Sequence, residues 1–199
     1  TSSVQKAGSS GQYYLSVYQT ASTDTSAAVQ FDVIYGDKVG SGSVPYNSNL
    51  PSYTPSATMY GSYRSLILED ENSDFIFGDG NNTFTSPTFY VFSVERARYK
   101  EKLFPGTFNL TLQTSTGTRH LTDNSNDVLV NSFIGSSQVF QIVSGSDGSS
   151  YSGDGYVTDS GSYGLFFPTL GTIMLNPTAL GDIALNANRT NGTDAGNED

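Results

Sequence analysis

At 199 residues without cysteine, the chain is long enough for one sizeable domain or two small ones. It must be held by packing, strand pairing or subunit contacts, since disulfides, thiolate metal sites and thiol nucleophiles are all excluded. Nineteen acidic against nine basic residues give a formal net charge of −10, which argues against wrapping nucleic acid or lying on an anionic membrane.

Residues 1–12 are small and polar and are expected to form an arm. No apolar run reaches the length of a membrane helix. With Thr1 at its start and no basic-plus-apolar leader pattern, the chain is expected to be a mature or partial one. From Tyr13 to Gln19, Tyr13, Leu15 and Val17 alternate with Tyr14, Ser16 and Tyr18, the period of a strand. Val29 to Tyr35 reads as a second strand, with Phe31, Val33 and Tyr35 on one side and Asp32 and Ile34 on the other, and Thr20–Ala28 as the hairpin connection. From Gly36 to Tyr60 the chain is rich in Gly, Ser, Pro and Tyr, with Pro45, Pro51 and Pro55 expected to stop any regular element. A connection of that length is expected either to dock on a neighbour as an arm or to be a surface loop.

Tyr63–Leu68 and Phe75–Phe77 are short apolar runs around an acidic stretch, followed by a turn cluster at 78–82. Phe89–Val94 and Phe108–Leu112 are the clearest strands, with Pro105-Gly106 between them as a turn that needs positive φ at the glycine. Val128–Ile134 and Gln138–Val143 read as a hairpin around Gly135-Ser136-Ser137. After a Gly/Ser/Asp-rich stretch from Ser144, Leu165–Phe167 and Thr172–Leu175 form a last hairpin. Asn176-Pro177 then caps a short helix over 178–187, ahead of a polar tail. The fold class expected is all-β: an antiparallel sandwich-like domain over 13–143, a smaller acidic part over 144–187 with hairpin and helix, and a tail over 188–199.

Catalytic and metal-binding patterns are weak. Acidic residues at 70–74, Asp79, Asp147, Asp154 and Asp159 offer oxygen ligands but do not form the calcium loop with its terminal Glu. His120 is the only histidine, which is too few for a zinc site here. There is no nucleophile elbow and no phosphate loop. The formal glycosylation sequons at Asn81, Asn109, Asn188 and Asn191 are of the kind that arise by chance in an Asn/Thr-rich chain. The expectation is a protein without catalytic residues, metal or cofactor.

Interface candidates are clearer. Four of the nine basic residues, Arg96, Arg98, Lys100 and Lys102, fall within seven positions around Tyr99. If that segment is extended, the cations share one side and Tyr99 takes the other, a stripe suited to an acidic surface; the same charges also suit a guarded strand edge. Tyr46, Tyr53 and Tyr60 are the tyrosines that fit an interface, offering large contact area at low entropy cost, though tyrosine on a half-buried strand face explains such residues as well.

The segment VERARYKEKLFPGTFNLTLQ with HLTDNS after it, and GSYGLFFPTLGTIMLNPTAL further on, resemble structural proteins of the virion in contractile-tailed phages of marine cyanobacteria, where such sequences belong to tail or baseplate components. The resemblance spans about 60–187. It implies a virion location, a homo-oligomer in contact with copies of itself and other virion proteins, and no enzymatic residues, while the net charge speaks for no nucleic-acid and no membrane partner. The chain has no fibre-like repeat, unlike a receptor-binding tip. A capsid decoration protein and a glycan-binding adhesion module are the other readings this composition fits.

Overall fold

The computed structural model describes residues 4–6, 14–21, 23–80, 82–114, 117–153 and 155–181. In chain order the strands are β1 (Val4–Lys6), β2 (Tyr14–Tyr18) and β3 (Val29–Asp37), then helix α1 (Pro55–Leu68). There follow β4 (Phe75–Asp79), β5 (Asn82–Ser86), β6 (Thr88–Val94), β7 (Asn109–Thr114) and β8 (Gly117–Asp123). The chain continues through β9 (Ser132–Ile134), β10 (Ser137–Ser146), β11 (Ser149–Ser150), β12 (Gly164–Phe167), β13 (Thr172–Leu175) and helix α2 (Pro177–Leu180). The expected arm over 1–12 lies outside the described residues except where β1 pairs with β2. The tail over 188–199 lies wholly outside them, as does the expected helix beyond 181.

The fold is mostly antiparallel β-sheet, as the alternation predicts. Among the described residues the main sheet runs β1-β2-β3-β6-β13-β12-β10-β8-β7, with β9 and β11 attached to β10, and β4-β5 forms a separate hairpin. The hairpin of 164–175, read from the sequence as part of a smaller C-terminal unit, therefore sits in the middle of this sheet. It is inserted between β6 and β10. The reason is burial on both faces: Gly164–Phe167 and Thr172–Leu175 are buried at every position, and such continuous apolar runs belong at a sheet's centre.

Alternation along the central strands builds two cores. Phe89, Val91, Leu165, Phe167, Met174 and Ile34 face one way, and Tyr90, Phe166, Ile173, Leu175 and Tyr35 face the other. Register enforces this: Phe31, Val33 and Tyr35 lie opposite Val94, Phe92 and Tyr90, while Ile34 lies opposite Val91, and directly opposed residues share a face.

The first face is covered by α1 and the β4-β5 hairpin, through Tyr60, Ile67, Phe75 and Phe77, each almost or fully buried. This helix corrects the sequence reading of a loop through Tyr60. Thr54 takes an extended backbone and its hydroxyl oxygen accepts from the Ala57 amide, and Pro55 opens the helix. Proline there loses no hydrogen bond, and its fixed φ favours the start it was expected to prevent. Ser56, Tyr60, Tyr63 and Ile67 then recur on one helical face, and Glu69 ends the helix in the left-handed region at φ 56°.

The other turns follow their residue chemistry. Gly106 sits at φ 81° in the Pro105-Gly106 turn, closed by a 3.3 Å bond from the Thr107 amide to the Phe104 carbonyl. The Asn176 side chain, fully buried, accepts from the Thr178 and Ala179 amides and caps α2. Of the run Val128–Ile134 only Ser132–Ile134 pairs, and Leu129 and Val130 stand in solvent.

Candidate functional site

The second face is concave. Six strand intervals separate β3 from β7, which in a flat sheet would set them roughly 29 Å apart. Instead Phe31 of β3 and Leu110 of β7 line one pocket, so the sheet curls until β3 and β7 approach across that face. Phe108, just before β7, stacks on Phe166 of β12 with centroids 5.7 Å apart, although β10 and β8 lie between them in the sheet.

The pocket has a volume of about 360 Å³, within the usual range for small-molecule sites. Phe31, Phe92, Val94, Phe166 and Ile173 form its floor, with Phe108 and Leu110 on one side and Leu103, Phe104 and Thr107 on the rim. Thr107 carries the single side-chain polar group in the lining, and its hydroxyl already donates to the Phe104 carbonyl at 2.7 Å. Among the described residues no acid or base lines the cavity, so its chemistry is that of apolar recognition. Phe104 stands at the rim with 72% of its surface exposed.

The rim is fixed by a buried carboxylate. Asp123, at the end of β8 and fully buried, accepts the Gly106 amide through both oxygens at 3.0 Å and the Ser125 amide at 3.1 Å. Asp37 does similar work at the end of β3, accepting the Val39 and Ser41 amides at 3.0 and 2.9 Å and the Tyr35 hydroxyl at 3.1 Å. These loop amides satisfy carboxylates that burial would otherwise leave without hydrogen bonds.

The sequence candidates separate in space. Arg96–Arg98 is a turn of 3-10 helix, not a strand, so strand alternation does not place the cations on one side. The Arg96 guanidinium lies 4.5 Å from the Tyr99 ring centre and donates to the Tyr99 carbonyl at 2.6 Å. Tyr99 is half-buried, its hydroxyl end packed over Gly171. Arg98, Lys100 and Lys102 are exposed. Tyr46 and Tyr53 are exposed in the connection before α1.

Tyr60, expected at an interface, belongs instead to the core. Its ring stacks on Phe89 at 5.2 Å, and its hydroxyl donates to the Ser86 carbonyl at 3.2 Å. Helical burial was invisible while the segment was read as a loop. Burial, with the nearby Asp74 charge, pushes the Tyr60 phenol up to about 12. Below pH 10 it is neutral whether the chain is folded or not, so its contribution is complete. As pH climbs from 10 to about 12 the unfolded phenol ionises first and that stability is lost. Alkaline denaturation of Tyr60→Phe is therefore expected to fall less steeply with pH across this window than that of the unmodified chain.

His120 is exposed on β8 with Nδ1 3.2 Å from the Thr111 hydroxyl. Hydrogen bonds from the Ser73 hydroxyl and the Asn72 amide hold Asp70 below the usual carboxylate range. No three metal-ligating side chains gather among the described residues. Asp154 lies outside them.

The pocket was missed because each lining residue, taken singly, is an ordinary strand position. The available signal was the apolar pair Leu103-Phe104 inside a charged connection, with Val94 at the connection's other end. No protein-family model, no curated protein and no solved structure matches the chain.

Proposed function

We propose that the chain is a structural subunit of a phage tail or baseplate, working through contacts with copies of itself and other virion proteins rather than through catalysis. The observation that carries the assembly reading is the placement of exposed apolar side chains outside the sheet. Val39, Val44, Tyr46, Leu50 and Tyr53 stand on the connection before α1, and Leu129 and Val130 on the segment entering β9. Scattered exposed apolar residues are ordinary, but clusters on irregular segments fit contact surfaces. Among the described residues β1 and β7 each have one paired side, leaving strand edges of the kind that oligomers cover. The phage assignment rests on the sequence resemblance.

Mass in solution by analytical ultracentrifugation, with mass-spectrometric detection in purified particles, tests the proposal. A defined oligomer and presence in the particle are the expected results; a compact monomer that never joins a larger complex overturns it. Replacing Arg96, Arg98 and Lys100 together by Ser is expected to weaken self-association roughly tenfold while leaving thermal unfolding nearly unchanged, as for exposed interface charges. Unchanged association would leave those charges only an edge-guarding role.

A further inference from the structure

We propose that the concave-face pocket binds the apolar body of a small anionic amphiphile, a molecule with a medium-length hydrocarbon or aromatic part and one carboxylate, sulfonate or phosphate head. The inference is independent of the assembly reading and stands on two observations about the same place. The first is the cavity. At about 360 Å³ it is an open concavity of the size that small-molecule sites have. Its lining offers water no free side-chain partner, because the Thr107 hydroxyl is already engaged, and apolar cavities without such partners take apolar guests. Phe92, Val94, Leu103, Phe108 and Leu110 are only partly buried although they face the concave core, so the surface a guest would cover is open.

The second observation is charge. Val94 and Leu103 both line the pocket, and the eight residues between them leave its wall and return to it. That loop carries Arg96, Arg98, Lys100 and Lys102 against Glu95 and Glu101, a net +2 in a chain of net −10. Arg98, Lys100 and Lys102 are exposed and have no ion-pair partner among the described residues. Lys102 directly precedes the lining residue Leu103 in the chain, and a net positive loop anchored at the pocket at both ends favours a guest whose head is negative over a neutral or cationic one. The rim is also preorganised, since Asp123 holds the Gly106 amide with both oxygens while the Phe104 ring remains mostly exposed. The backbone of the rim is thus fixed, and an aromatic side chain stands ready to close over a guest.

The experiment is calorimetric titration of the whole chain with decanoate and, separately, with decanol. Decanoate is expected to bind at one site and roughly tenfold more tightly than decanol at low salt, the gap narrowing as salt screens the loop cations. Replacing Arg98, Lys100 and Lys102 together by Ser is expected to bring decanoate down to the level of decanol and to leave decanol unchanged. Leu110→Trp, which fills the cavity from an edge strand, is expected to abolish binding of both. Should that variant misfold, Phe104→Ser alters the rim at an exposed position and is expected to weaken both ligands several-fold. Absence of saturable decanoate binding overturns the proposal. So does equal binding of the two ligands with no response to the serine triple variant, or binding that neither Leu110→Trp nor Phe104→Ser affects. Finally, if decanoate fails to bind while Phe104→Ser dissociates a self-assembled species, the occupant is a second copy of the chain and the amphiphile reading is wrong.

Discussion

Replacing Phe89 by Ala is expected to lower the free energy of unfolding by about 4 kcal/mol, the middle of the range for buried aromatic truncation. Urea denaturation of the two proteins, followed by far-ultraviolet circular dichroism, measures the difference. The ring is fully buried and packs against three others, with centroids at 5.2 Å to Tyr60, 5.3 Å to Phe75 and 5.8 Å to Tyr63. It joins the sheet to both elements that cover this face. Opposite it on β3 is Gly36, where an added Cβ would stand 2.5 Å from the ring. That glycine makes room for Phe89, and it also means that no neighbouring side chain stands there to refill the void. A loss below about 1 kcal/mol, the size of an unremarkable surface change, would show that the aromatic cluster does not bind the helix to the sheet.

Asp123→Ala is expected to cost about 3 kcal/mol and to free the pocket rim. The carboxylate is the acceptor for the Gly106 and Ser125 amides, and a buried donor left unpaired costs about 1–3 kcal/mol. Asn at this position is expected to cost less, because one oxygen remains for Gly106 while the amide nitrogen must face another donor. Hydrogen exchange separates local from global effects. The Gly106 amide should exchange much faster in the Ala variant under conditions where the central strands stay protected. Protection at Gly106 equal to that in the unmodified protein would place its main restraint in the turn itself.

Strand identity was legible because alternation is local. Phe31, Val33 and Tyr35 against Asp32 and Ile34 gave the two faces of β3, and Pro105-Gly106 and Asn176-Pro177 announced their turn and cap through chemistry confined to neighbouring residues. What failed depended on partners far along the chain. Pro55 reads as a breaker in the sequence since nothing nearby shows that Tyr60 and Ile67 meet Phe75, Phe77 and Phe89. β8 was overlooked because Thr118, Arg119 and His120 are exposed, and only pairing with β7 and β10 makes that stretch a strand. The pocket was equally hidden. It exists because the sheet curls, and curl is a property of many strands together that no single window of residues encodes.

The placement of β12 and β13 has a consequence for how the molecule is made. These strands emerge from a ribosome after all the other described strands, yet they occupy the middle of the sheet. Until they arrive, β6 and β10 each lack one native neighbour, and a nascent chain ending near residue 160 holds two half-sheets with open, sticky borders. The pairings that join them span 79 to 85 positions in sequence on the β6 side and 22 to 26 on the β10 side, and the former is the kind of long-range closure that slows folding. A truncation removing these strands would therefore leave two aggregation-prone fragments in place of a smaller version of the same architecture.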